Sequence, residues 1–186
     1  MANLRLNEIA RLNEISRLDL GNIQGMVFYF HQKEIARQAL ERLNTYITRG
    51  GGLLAIHSAS ASFKTEALYH KILGGHFREH GAVQEMRVLP TQSADAIFGD
   101  IAPFSVSDEL YINNYDPNIQ IHFYSQRDNV REPVVWTHQH GAGRVCYCSF
   151  GHRADTMRHP SVQGIITRGL NWVCRGELDL EGFDGR

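Results

Sequence analysis

A chain of 186 residues that is 42% hydrophobic can bury one substantial core, and its length suits a single domain. Its 19 Lys and Arg nearly cancel its 20 Asp and Glu, and no basic block with interleaved aromatics is present to follow a phosphate backbone, so nucleic acid is excluded as the expected partner. Charges at Arg5, Glu8, Arg11, Glu14, Arg17 and Asp19 interrupt the first twenty positions, and no stretch approaches a membrane span; the expectation is a cytoplasmic protein with no signal peptide and no membrane contact.

The chain opens on RLNEIA, RLNEIS and RLDLGN, a near-repeat from Arg5 to Asn22. Its apolar residues Leu6, Ile9, Leu12, Ile15 and Leu18 recur at every third position, a period that drifts around an α-helix instead of holding one stripe. Residues 1–22 are therefore expected to form a partly ordered arm, ahead of a domain over 23–176 and a tail over 177–186.

From Gln24 the pattern sharpens. QGMVFYF is short and rich in branched and aromatic residues, as a buried strand is, and HQKEIARQALERLNTYITR then places Ile35, Ala39, Leu40, Leu43 and Ile47 at helical spacing. That helix is expected to stop at Gly50 to Gly52. GLLAIHS reads as the next strand and KTEALYHKIL as the next helix, closed by Gly74 and Gly75. After a less regular middle come the strands IQIHFYS, EPVVWTHQH and GRVCYCSF, the last two joined by a hairpin turn over His140 to Gly143. A final helix carries Pro160 in its first turn and turns Val162, Ile165, Ile166, Leu170 and Trp172 inward. Early alternation of strand and helix, with strands apolar on both faces, implies a largely parallel sheet in an α/β sandwich with an antiparallel hairpin to one side.

In such sheets ligands gather beyond the carboxyl ends of the strands. His57 ends GGLLAIH and His152 follows GRVCYCSFG, so parallel neighbouring strands bring both to one rim, with His80 in GGHFREHG and Glu109 in SDELY as further candidates. A lone histidine at a strand end is commonly a hydrogen-bonded structural residue; two converging on one edge point instead to acid–base or metal chemistry near neutral pH.

Three competing patterns are weaker. His76 to His80 spells H-x-x-E-H, a zinc-protease string that needs a rigid helix, but glycines at 74, 75 and 81 flank it. Ser58 stands where a nucleophile elbow would put its serine, yet Ile56 and Ser60 replace the two flanking glycines. Cys146 and Cys148 share one strand face, and with no second Cys/His pair beside them they read as buried thiols; Cys174 completes an odd count. No glycine-rich nucleotide cradle is present.

GGGLLAIHSASASF, LGGHFREH, SDELY, PVVWTHQHGAGRVCYCSFGH and HPSVQGIITRGLNWV, in that order, resemble the ThuA-like (trehalose-utilisation) proteins, a branch of the class I glutamine-amidotransferase-like fold, over about residues 23 to 175. The resemblance implies a flavodoxin-like three-layer sandwich. It also implies that His57 occupies the position of the amidotransferase cysteine and His152 that of its histidine, so that glutaminase chemistry gives way to another. The family is linked to breakdown of trehalose and related disaccharides and keto-sugars. It thus implies a small-molecule sugar as partner; His57, His152 and Glu109 at the rim are then the catalytic candidates, either with a divalent metal such as zinc on His57, His80 and His152 or metal-free, as acid and base on a carbonyl sugar. The family usually begins with a strand ahead of the one matching QGMVFYF. Here the RLNEIA repeat stands in its place, so the first strand is expected to be missing or replaced, leaving a sugar-binding or assembly module as the alternative and a homo-oligomer as the means of covering the edge.

Overall fold

The computed structural model describes residues 6–127 and 130–176. The expected tail over 177–186 lies outside the described residues. Nine strands and five helices run in the order β1 (Gly25–Phe28), α1 (Arg37–Thr48), β2 (Gly52–Ile56), α2 (Ala67–Leu73), β3 (Gly75–His80), β4 (Gln84–Pro90), α3 (Asp95–Phe98), β5 (Phe104–Asp108), β6 (Tyr111–Tyr115), β7 (Gln120–Arg127), β8 (Val130–His140), β9 (Gly143–Cys148), α4 (Ala154–Arg158) and α5 (Pro160–Val173) among these residues.

Seven strands form one curled sheet in the order β1-β2-β9-β8-β7-β4-β5, and β3 pairs with β6 in a separate ribbon. The layered α/β sandwich is as the sequence implies, but the sheet is mixed, not mostly parallel. Only β1 with β2 and β2 with β9 run parallel; every pairing from β9 to β5 is antiparallel. The reason lies in the connections, because β7, β8 and β9 follow one another through turns too short for a crossover.

Alternation along the central strands divides the core in two. Leu53 and Ala55 of β2, with Val145 and Tyr147 of β9, face α1 and α2 and pack with Leu43, Ile47, Tyr69 and Leu73. Leu54 and Ile56, with Cys146 and Cys148, face the other way and pack with Phe98 and with Val162 and Ile165 of α5. All five residues of β2 are buried, as a strand covered on both faces requires. Gly74 closes α2 at φ 72°, the left-handed conformation expected of a glycine helix stop.

The arm is more closely attached than its sequence suggests. Leu12–Arg17 is a 3-10 helix, and three residues per turn place Leu12 and Ile15 on one side, where both are buried in the core. The three-residue period that spoils an α-helical stripe fits this tighter helix. Leu12 N–H donates to Gln32 Oε1 at 3.2 Å, Ala36 N–H to Asn13 Oδ1 at 2.7 Å and Arg42 Nε to Ile15 O at 3.0 Å. The arm adds no strand among the described residues, so β1 is the edge of the sheet and Val27 is half exposed there.

Candidate active site

His57 leaves the buried end of β2 and turns at once into a 3-10 turn, His57–Ala61, with its own φ at 49°. A non-glycine residue in the left-handed region is strained, and a packed environment must hold it. That environment is visible: His57 is 5% exposed and its ring lies against Tyr111 with centroids 4.3 Å apart. Its Nδ1 is 2.9 Å from the carbonyl of Ser149, which can only accept, so Nδ1 carries the proton and the Nε2 lone pair is free to face the site. Burial lowers the His57 pKa, opposed by the Ser149 hydrogen bond and by the charges of Asp108 and Glu109, so the ring stays neutral at physiological pH.

Ser149 follows β9, and the parallel register that sets Ile56 opposite Cys148 delivers His57 and the 149–152 segment to the same rim. The two imidazoles meet there, their centroids 6.0 Å apart. Glu109, from the turn between β5 and β6, completes the group: its Oε2 is 3.3 Å from His152 Nδ1 and 3.8 Å from His57 Nε2. One donor atom from each of His57, Glu109 and His152 falls within 4.8 Å of the others. These three side chains are thus the ones that could hold a metal ion, Glu109 among them. His80 approaches it from the end of β3, its Nδ1 3.5 Å from Glu109 Oε1, but that nitrogen also donates to Gly81 O at 2.7 Å, and His80 stands outside the group of three.

The competing patterns take structural roles. The H-x-x-E-H string lies on extended β3, paired antiparallel with β6, and His76 stacks on His70 at 4.4 Å. Ser58 donates its hydroxyl to Phe30 O at 3.1 Å. Cys146 and Cys148 are buried inside the sheet, where lack of solvation pushes the Cys148 thiol up to about 12.

Sequence reasoning passed over Asp108, Tyr111, Ser149 and Gly151, all within or beside the quoted motifs. Asp108 is fully buried beneath the rim. Tyr111 stacks on His80 and packs at a tilt against His57, and burial raises its hydroxyl pKa to about 12, keeping it protonated. A side chain at Gly151, whose φ is 154°, would place its Cβ 2.6 Å from that of His57. A separate cleft of about 530 Å³ opens at the amino ends of β1 and β2, lined by Arg42, Tyr46, Arg49 and Arg175 among others; none of the four rim candidates borders it.

A mixed α/β sandwich with two imidazoles and a carboxylate at the carboxyl edge of its parallel strands defines a class of fold and site, and comparison with known proteins gives the family. The trehalose-utilisation (ThuA) family matches residues 6–173, and the chain belongs to it. The structure resembles a ThuA-like protein from Parabacteroides merdae (TM-score 0.77, 19% identity, 87% of this chain and 74% of that one). It also resembles one from Bacteroides uniformis (TM-score 0.72, 14% identity, 89% and 75%). A cytoplasmic protein from Salmonella typhimurium is similar at TM-score 0.62 and 13% identity, over 90% and 76%. Identities this low establish the shared fold alone. No curated protein matches the chain by sequence. No helix among the described residues is long and apolar enough to cross a membrane.

Proposed function

We propose that this protein is an enzyme of carbohydrate metabolism that holds a divalent metal, zinc being the ion the donors suit, on His57, Glu109 and His152. The observation that carries the reading is the convergence of three donor atoms from three separate segments within 4.8 Å of one another. Two imidazoles and one carboxylate are a donor set of catalytic zinc sites. With bonds of about 2.0–2.2 Å a tetrahedral ion spaces its ligands about 3.3–3.6 Å apart, near the separations of 3.3 and 3.8 Å found here. The Ser149 carbonyl fixes the tautomer of His57, as a metal-binding histidine requires.

Such an ion supplies Lewis-acid polarisation of a sugar carbonyl or hydroxyl oxygen. The protein's own groups orient the donors: the Tyr111 ring packs against His57, and His80, more exposed than Glu109, holds its Nδ1 3.5 Å from Glu109 Oε1. The trehalose-utilisation family and a site at the carboxyl edge of the sheet support a disaccharide or keto-sugar as substrate. Glutaminase activity is not part of the proposal, because an imidazole replaces the thiol and all three cysteines are buried. A cytoplasmic location is proposed with it, in keeping with the Salmonella relative.

A panel of disaccharides and oxidised sugars, assayed with metal-loaded protein, tests this. Turnover is expected in the wild type and lost in His57→Ala and His152→Ala. A second reading, a non-catalytic sugar-binding or assembly module, draws on the edge strand β1, where Val27 is 50% exposed and Tyr29 just beyond it 53%, available to a second copy of the chain. Sugar binding that survives both histidine variants, with no turnover in the wild type, would favour that reading.

A further inference from the structure

Asp108 has no role in the chemistry just proposed, yet it is fully buried at the base of the site. A carboxylate withdrawn from water needs donors. Among the described residues none of its partners is a cation: Oδ1 accepts from the backbone N–H of Glu109 at 2.9 Å and of His152 at 3.1 Å, and Oδ2 accepts from Gly151 N–H at 3.0 Å. Two of these donors belong to residues whose side chains meet in the site. The third belongs to the glycine packed against His57.

The sheet explains why such a tie is needed. Asp108 ends β5, the outermost strand, whereas His152 follows β9, and β8, β7 and β4 lie between them in the strand order. No ladder hydrogen bond can join strands that are not neighbours. The curl of the sheet brings their ends together, and the carboxylate makes the join, assisted by Thr156, whose hydroxyl donates to Ser107 O at 2.9 Å. We propose that Asp108 is a positioning residue, which clamps the β5–β6 turn to the segment after β9 and so sets the spacing between Glu109 and His152. Its importance for metal binding rests on the reading of these side chains as a metal site; the clamp itself does not. Its charge also acts on the His57 ring, against the effect of burial.

Asp108→Asn is the informative change. Asn retains an oxygen for Glu109 and His152 but sets an amide N–H against that of Gly151, so one bond becomes a repulsion. In metal-free protein, NMR should show contacts between the His57 and His152 rings in the wild type and in Glu109→Gln. In Asp108→Asn those contacts should vanish and Gly151 amide exchange should quicken at least about tenfold, with amides of β2 and β9 unchanged. Cobalt or zinc affinity should fall about 10–100-fold in the same variant, the usual effect of removing support behind a metal ligand. Persistence of the ring contacts, or unchanged Gly151 exchange, overturns the clamp whether or not the wild type binds metal. Lack of metal binding by the wild type overturns the proposed function and leaves the ring contacts to decide the clamp. Should the variant not fold, couplings across the hydrogen bonds from the amides of 109, 151 and 152 to the Asp108 carboxyl carbon, measured in the wild type, are expected; their absence overturns the clamp equally.

Discussion

Replacing Ile15 by alanine tests whether the arm is part of the folded unit. Ile15 is fully buried, against Leu6 at 81% exposed in the same repeat. Ile→Ala removes three carbons, worth about 0.8 kcal/mol each in transfer from water, or about 2.4 kcal/mol. The residual cavity adds to this, and about 2.5–4 kcal/mol falls within the range for buried aliphatic truncations. In a chain of 186 residues this lowers the melting temperature by about 5–15 °C. Leu6→Ala, at an exposed site, should stay within about 0.5 kcal/mol of the wild type. Urea denaturation followed by tryptophan fluorescence gives both values with their m-values. Equal stabilities for the two variants, or a loss below about 1 kcal/mol for Ile15→Ala, would show that the 3-10 helix is not held by the core as its packing requires.

Gly151→Ala brings a Cβ to 2.6 Å from the Cβ of His57, so it should cost about 1–3 kcal/mol in urea denaturation and weaken metal binding by displacing the ring; wild-type behaviour in both would remove Gly151 from the site. His70, His122, His138 and His140 all have pKa values lowered chiefly by burial. The unfolded chain protonates them from about pH 6.5 downward while the folded one resists, so stability holds above that pH and declines as pH falls toward the depressed folded values. Melting temperature followed from pH 7.5 to 5 should therefore drop. His122→Gln, at a site where Thr137 and Ser93 already serve as partners, should flatten the decline. Cys146 and Cys148, fully buried within the sheet, should react with a thiol reagent only at the rate of unfolding, and fast native labelling of either would contradict their placement.

The central strands were legible because burial on both faces leaves continuous apolar runs, as in GLLAI, and because glycine stops such as Gly74 mark helix ends. The sheet's direction was harder to read. β4 and β5 alternate buried and exposed residues, a pattern that marks antiparallel strands wet on one side but does not say which neighbour they join. His57 and His152 were legible as strand-end residues, and parallel register made their meeting a geometric necessity. Asp108 was not, because its value arises from the curl of the sheet, which sets β5 against the segment after β9 although three strands intervene. The arm is legible only against the tighter helix: a period of three drifts around an α-helix of 3.6 residues per turn, and the short 3-10 helix satisfies it.

Cobalt titration of purified, chelator-treated protein tests the metal site most directly, since cobalt reports its own coordination by visible absorption. One equivalent should bind the wild type with intense tetrahedral bands, and His57→Ala, Glu109→Gln and His152→Ala should each lose them while staying folded. A wild type whose spectrum remains that of free aqueous cobalt, or three variants that bind as the wild type does, would contradict the account.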